Sequence, residues 1–379
     1  MIGGEVWFVL SKLNTGGIER NRIRLMRQCK EWGIPVRLIL VEGKGELLDS
    51  VPDGVSVHCL ADHCKISFPL RLAYMLKQSN PACIISAFDD VNLMVAMAST
   101  LSRSSVPILF SFHNTFSSER LSSKGVLRWK LEATKRLLPW AFRRSNCVAV
   151  VSNGVGDDLA CETGFPRDAI HVIYNPVIES DFEAHVGESA TVFQSAKVIV
   201  FVGRLVAQKD VPTLIKAFAI LAKKQDARLV IVGDGPERQD IERLIIQLGL
   251  QDLTMMMGAV QNPLPIMAGG DVLALTSKFE GLGNVLIEAM GCGTQVVATD
   301  CPHGPAEILE NGRWGQLVPV GDEQALAIAL EKSLSGRFWA DPDQLRSRAA
   351  EFSVEKATMR YLELAGYNVS CLPSCPANR

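Results

Sequence analysis

Short apolar runs rich in valine and isoleucine recur through this chain, each followed by a stretch with helical spacing, and that rhythm leaves few folds open. Strands without polar alternation must be covered on both faces, the condition of a parallel sheet with helices on either side. The first set of runs starts at Val6 (VWFVL), Val36 (VRLILV), Val55 (VSVHCL), Ala82 (ACIISAF), Pro107 (PILFSFH) and Cys147 (CVAVVS). A further run from Ile170 ends at Asn175-Pro176, where proline cannot continue a ladder. After a polar stretch the pattern restarts at Lys197 (KVIVFVG), Arg228 (RLVIVG), Leu253 (LTMMMG), Asp271 (DVLALTS) and Thr294 (TQVVATD). At 379 residues the chain is also long for one core. The prediction is α/β: two Rossmann-like doubly wound domains, 1–178 and 197–352, facing across a cleft at their carboxyl edges. Residues 179–196 read as a linker, 353–366 as a helix crossing back to the first domain, and 367–379 as a tail.

Composition narrows the class of function. Hydrophobic residues make up 47% and charged ones 21%, the balance of a soluble globular protein. No apolar run approaches the roughly 18–20 residues that span a bilayer. The start, MIGGEVWFVL, reads as a strand with Glu5 and no basic leader, so the expected location is the cytoplasm. A net charge of −2 gives no footing for nucleic acid. The ten cysteines contain no Cys-x-x-Cys pair and the six histidines no metal-ligand spacing, so reduced thiols and no bound metal are expected.

The stretch Phe279 to Glu288 (FEGLGNVLIE) crosses from a strand end into a helix and sets two carboxylates, Glu280 and Glu288, eight positions apart. Glu280 falls in the crevice at the strand's carboxyl end. Glu288 lies about two turns into the helix, whose first N–H groups near Gly283, Asn284 and Val285 could cradle a phosphate. Amides for a phosphate and carboxylates for hydroxyls suit a sugar nucleotide.

Other residues cluster at strand ends in the same way. Gly16-Gly17 opens a helix after the first strand, where backbone can approach a phosphate without a Cβ in the way. A dinucleotide site is its rival, with Glu42 in the ribose position, although a full Gly-x-Gly-x-x-Gly is missing. Arg204 and Lys209 flank the loop that follows the strand from Lys197, and one guanidinium with one ammonium would neutralise a diphosphate. Asp234 in Gly233-Asp234-Gly235-Pro236 reads as a turn former, and Asp89 with Asp90 as acids at a helix start. The loop Thr299 to Glu307, holding His303, could line a pocket with backbone groups. His113 ends the strand from Pro107 and suits either a hydrogen bond to a sugar hydroxyl or proton acceptance, with a core histidine as the rival. Between Arg120 and Arg144 eight basic residues face a single acid, Glu132, a local balance of +7. Lys124, Arg128, Lys135 and Arg136 interleaved with Trp129 and Trp140 favour an anionic membrane surface or a lipid-diphosphate acceptor.

Taken together, GGIER at Gly16, GRLVAQKD at Gly203, VGDGPE at Val232 and FEGLGNVLIEAMGCGTQVVATDCPHGPAEIL at Phe279 resemble the retaining glycosyltransferases of family 4, of the GT-B fold, over nearly the whole chain. The sequence departs from the usual pattern at Gln295, where relatives often carry proline, and at Gly291, where they often carry alanine. The resemblance implies an acceptor-binding first domain and a nucleotide-sugar-binding second one. It implies that Glu288 binds the ribose, Glu280 the donor sugar, and Arg204 with Lys209 the diphosphate. Gly16, Gly17, Gly203, Val260, Gly281, Leu282, Gly283, Asn284 and Val285 complete the implied donor contacts, and His113 lines the sugar site. No metal or cofactor is implied beyond a UDP-sugar as co-substrate, and the acceptor would be a glycan, polyprenyl-diphosphate-linked, in bacterial polysaccharide assembly. A UDP-sugar 2-epimerase and a GDP-mannose-dependent transferase are the alternatives on the same fold.

Overall fold

The computed structural model describes residues 4–14, 16–60, 65–117, 125–188 and 196–372. Residues Val177–Ser353 form one compact unit and the rest of the chain the other.

The first unit holds a parallel sheet of β1 (Val6–Leu10), β2 (Val36–Leu40), β3 (Ser56–Cys59), β4 (Cys83–Ala87), β5 (Ile108–Phe112), β6 (Cys147–Val150) and β7 (Ile170–Val172). Their order is β3-β2-β1-β4-β5-β6-β7. Every residue of β1, β4 and β5 is buried, which accounts for their unbroken apolar runs. Helices Phe68–Gln78, Asp89–Ser102 and Val126–Phe142 pack in series beside one another, while Gly17–Glu31 packs against Val354–Leu364. That last helix puts Tyr361 and Leu362 into the core around Phe8, Leu25 and Leu38, and Ala365 follows just past its end. Each such fully buried leucine contributes about 1.5–3 kcal/mol by leaving water.

The second unit is built alike from β8 (Lys197–Val202), β9 (Ala227–Val232), β10 (Thr254–Gly258), β11 (Val272–Leu275), β12 (Gln295–Thr299) and β13 (Gln316–Val318), ordered β10-β9-β8-β11-β12-β13. The stretch read as a linker belongs to this unit and carries a helix, Phe182–Val186. Its anchor is Phe182, 6% exposed. Residues 189–195 of that stretch, and 373–379 of the expected tail, lie outside the described residues.

Both departures from the family pattern have a packing cause. A Cβ on Gly291 would lie 2.8 Å from Phe182 Cε1 and 2.9 Å from Ile178 Cδ1, so an alanine here would force those side chains to shift. Buried Gln295 donates to the Ala340 carbonyl (2.8 Å) and accepts from the Ala340 N–H (3.0 Å), a two-way bond that proline cannot make. Among the described residues Cys29, Cys83, Cys147, Cys292 and Cys301 are buried free thiols, and Cys161 is an exposed one.

Candidate functional site

In the second sheet β8 and β11 are neighbours whose onward connections run to opposite sides, which opens a crevice at their carboxyl ends. The loop after β8 carries Gly203, Arg204 and Lys209, and the loop after β11 carries Thr276 to Gly283. Close backbone contact stitches the loops together. Lys278 N–H donates to the Gln208 carbonyl (2.8 Å), Gln208 Nε2 to the Phe279 carbonyl (2.9 Å) and Thr276 Oγ1 to the Lys209 carbonyl (2.8 Å). Gly203 sits under a third loop, because a Cβ on Gly233, where φ is 137°, would fall 1.9 Å from the Gly203 carbonyl oxygen.

This stitching brings Lys209 onto Glu280 as an ion pair, with side chains 16% and 9% exposed. Ser277 Oγ donates to the same carboxylate oxygen at 2.6 Å. Lys209 and Arg204 are therefore not equivalent: the lysine has a counter-ion within the site, whereas exposed Arg204 makes no ion pair among the described residues. Leu282 is buried, Gly281 and Val285 are partly so, and Gly283 takes a φ of 98° at the start of helix Asn284–Cys292. Its N-cap residue, Gly283, has no side chain to cap it. The N–H groups of a helix's first turn point outward along the axis, an arrangement that favours an anion. Asn284 opens the helix, and Glu288 is half-buried one turn from its end. Val260 packs on Val198, Val200, Val230, Val232 and Ile266. Burial, with the Glu280 charge nearby, pushes the Cys301 thiol up to about 12, so it is no nucleophile at neutral pH.

In the first unit Gly16 precedes helix Gly17–Glu31 in extended backbone, and the Glu19 carboxylate folds over it: a Cβ there would meet Glu19 Oε2 at 2.3 Å. The space over Gly17 is open. The same helix sends Arg22 inward, where Nη2 meets Ser111 Oγ (2.5 Å), His113 Nε2 (2.8 Å) and Tyr361 Oη (3.2 Å). His113 is thus a buried member of a polar cluster. Burial, then the Arg22 charge, hold its pKa well below the usual imidazole value against a smaller opposing effect of Asn175, so it is neutral at pH 7. Beside it, Phe88 takes φ 77° and ψ 136° where β4 turns into helix Asp89–Ser102, a strained conformation for a bulky side chain. Asp89 and Asp90 follow in the first turn, and neither is the cap.

The two halves of the chain match two family profiles: "Glycosyltransferase Family 4" over residues 15–180 and "Glycosyl transferases group 1" over residues 196–335. The chain belongs to the family 4 glycosyltransferases. It is 26% identical to the lipopolysaccharide core biosynthesis glycosyltransferase LpsE of Rhizobium meliloti, covering 92% of this chain and 95% of that protein. It is 30% identical to an N-acetylgalactosamine-N,N'-diacetylbacillosaminyl-diphospho-undecaprenol 4-alpha-N-acetylgalactosaminyltransferase of Campylobacter jejuni over 60% of this chain and 63% of that protein. Among solved structures, Anabaena Alr3699/HepE in complex with UDP superposes with a TM-score of 0.78 at 21% identity, covering 96% of this chain and 99% of that one. The fold of this glycosyltransferase is thus GT-B.

The basic segment of the glycosyltransferase is described only in part, and one of its cations is paired. Lys124 lies outside the described residues, and nothing is described of the Arg128 side chain. Lys135 pairs with Glu162, with only 24% of its side chain exposed, so its charge is already met within the fold. Arg136 is exposed, as are Trp129 (74%), Leu137 and Trp140. No described helix is long and apolar enough to cross a membrane. Sequence reading also missed Arg22, Ser111 and Ser277. The one signal was an arginine at a core position of an amphipathic helix, four residues after Ile18 and one turn before Met26.

Proposed function

We propose that this glycosyltransferase moves a hexose or N-acetylhexosamine from a UDP-sugar to a glycan on a polyprenyl diphosphate, with retention of configuration and without a metal. The observation that carries the donor site is the Lys209–Glu280 pair held at the β8/β11 crevice beside the start of helix Asn284–Cys292. Phosphate oxygens meet the first amides of helix Asn284–Cys292 and the Arg204 guanidinium, Glu288 takes the ribose hydroxyls, and Glu280 takes a hydroxyl of the sugar. Glu280 is a positioning group here: its charge is held by Lys209 and Ser277, which suits a hydrogen-bond acceptor better than an attacking nucleophile. The bond from the sugar's anomeric carbon to the diphosphate breaks as an acceptor oxygen bonds to that carbon on the same face. The acceptor's proton passes to the departing diphosphate, whose growing charge Arg204 and Lys209 offset.

The nucleotide and acceptor follow the relatives. HepE crystallised with UDP and with UDP-glucose, and the Campylobacter jejuni enzyme named above is a transferase for a diphospho-undecaprenol glycan. A thermal-shift series with UDP-, GDP- and ADP-sugars is the test. A cognate nucleotide at a hundredfold its Kd adds ~2.7 kcal/mol of stability, and Glu288→Ala should remove most of that shift. A GDP-sugar giving the larger shift overturns the donor assignment, and epimer formation from UDP-sugar alone overturns transfer.

We also infer that the first unit rests on an anionic membrane surface. Trp129, Leu137 and Trp140 are exposed, and the helices packed in series beside theirs expose Leu70, Tyr74, Met97 and Leu101. Arg136, Arg143 and Arg144 supply the positive charge. Each cation near such a surface contributes about 1 kcal/mol. Reversing all three to glutamate is therefore expected to abolish co-flotation with phosphatidylglycerol vesicles, and binding that survived it would sink the idea. Lys135 is left untouched in this test because of its pairing with Glu162.

A further inference from the structure

At the carboxyl edge of the first sheet lies a cation buried where cations rarely are. Arg22 is 1% exposed, and its neighbours are Ser111, His113 and the hydroxyl and ring face of Tyr361, with no carboxylate paired to it among the described residues. A buried charge without a counter-ion is costly, so what it holds in place is the question. An arginine side chain only donates hydrogen bonds. The 2.8 Å contact from Arg22 Nη2 therefore makes His113 Nε2 the acceptor and leaves the ring proton on Nδ1. Ser111 Oγ lies 3.3 Å from the same Nε2, but its proton goes to the Ser86 carbonyl at 2.8 Å, so it does not compete. Asn92 completes the frame, accepting from Ser86 Oγ (2.5 Å) and donating to the Ser111 carbonyl (3.3 Å).

We propose that Arg22 is a positioning residue that locks His113 as the neutral Nδ1–H tautomer, so that the ring is held as a fixed neutral group and cannot serve as a base. The groups facing the ring are Arg22 from helix Gly17–Glu31, Ser111 from β5 and Asn175 from the segment after β7, with Tyr361 from helix Val354–Leu364 acting through Arg22. Nδ1 is shut off from solvent and faces the Asn175 side chain, so its proton stays inside the cluster. The consequence for transfer rests on the proposed function. The tautomer does not.

Long-range proton–nitrogen spectra of the full chain with labelled histidines decide the matter, His113 being assigned by its loss in His113→Asn. The expected ring carries a protonated Nδ1 and a bare Nε2 and does not titrate between about pH 5.5 and 8. In Arg22→Met both tautomers appear and the ring titrates, while Arg22→Lys, which keeps a donor, restores the Nδ1–H form. A wild-type ring protonated on Nε2, or one titrating between about pH 5.5 and 8, overturns the proposal whatever the variants do. In transfer assays Arg22→Met should lose about tenfold in kcat and gain an acidic limb in its pH profile. A shifted tautomer with an unchanged rate and profile would refute the positioning role. Failure of the wild type to transfer any sugar would count against the proposed function instead, and the spectra would still decide the tautomer.

Discussion

Replacing Lys209 by alanine is expected to destabilise the second unit by about 3 kcal/mol, because the Glu280 carboxylate, 9% exposed, is left without its cation. Ser277 would still donate at 2.6 Å, but one neutral hydroxyl does not replace a cation. The same change should slow sugar transfer by about 10²–10³-fold, the usual cost of removing a group that offsets charge developing in the transition state. The two losses can be separated. Lys209→Met combined with Glu280→Gln removes both charges while keeping the side-chain shapes, so stability should return to within about 1 kcal/mol of wild type. Transfer should stay low. Urea unfolding and initial rates with a UDP-sugar measure the two effects independently. A double variant that regained transfer would make the pair purely structural and move the donor site elsewhere.

Gly304→Ala is expected to cost about 3 kcal/mol or more and to weaken UDP binding by at least about tenfold. Its φ is 90°, and a Cβ would lie 2.1 Å from the Leu282 carbonyl oxygen. Leu282 belongs to the same turn as Glu280, whose N–H donates to the Pro302 carbonyl at 3.1 Å, so pushing the loops apart disturbs the carboxylate as well as the backbone. Gly283→Ala is the control. There φ is 98°, but the nearest atom to a new Cβ is a leucine methyl at 3.5 Å, an ordinary contact. Only conformational strain remains, about 1–2 kcal/mol. Unfolding midpoints and UDP titration calorimetry compare the two variants. Equal costs would mean that the close approach of the two loops is not what Gly304 provides.

The strands beginning at Val6, Lys197 and Asp271 were legible because a buried parallel strand needs an unbroken apolar run, and such a run has few other uses. Glu280, Lys209 and the glycines of the second unit were legible because chemistry in this architecture gathers at strand ends, which sequence position marks. Strand β13 was missed because Gln316–Val318 is three residues long, too short for any periodicity to register. Helix Phe182–Val186 was missed for a related reason: one apolar anchor in a polar stretch looks like a connection until the surface it docks on is known.

Arg22 shows where local pattern ends. Its partners His113 and Tyr361 lie 91 and 339 positions along the chain, and nothing in the run GIERNRIRLMRQ announces them. Lys209 likewise meets its counter-ion Glu280, 71 positions along the chain, only because the strands that precede them, β8 and β11, lie side by side. By itself the sequence determined which segments are buried and regular, and which residue types stand at the strand ends, since both follow from local periodicity and from the backbone demands of glycine. Tertiary structure alone decided which charges neutralise one another and which ring nitrogen of His113 faces a donor. Electrostatics and hydrogen bonding act over a few ångströms, and those distances exist only once the sheets have set their strand order.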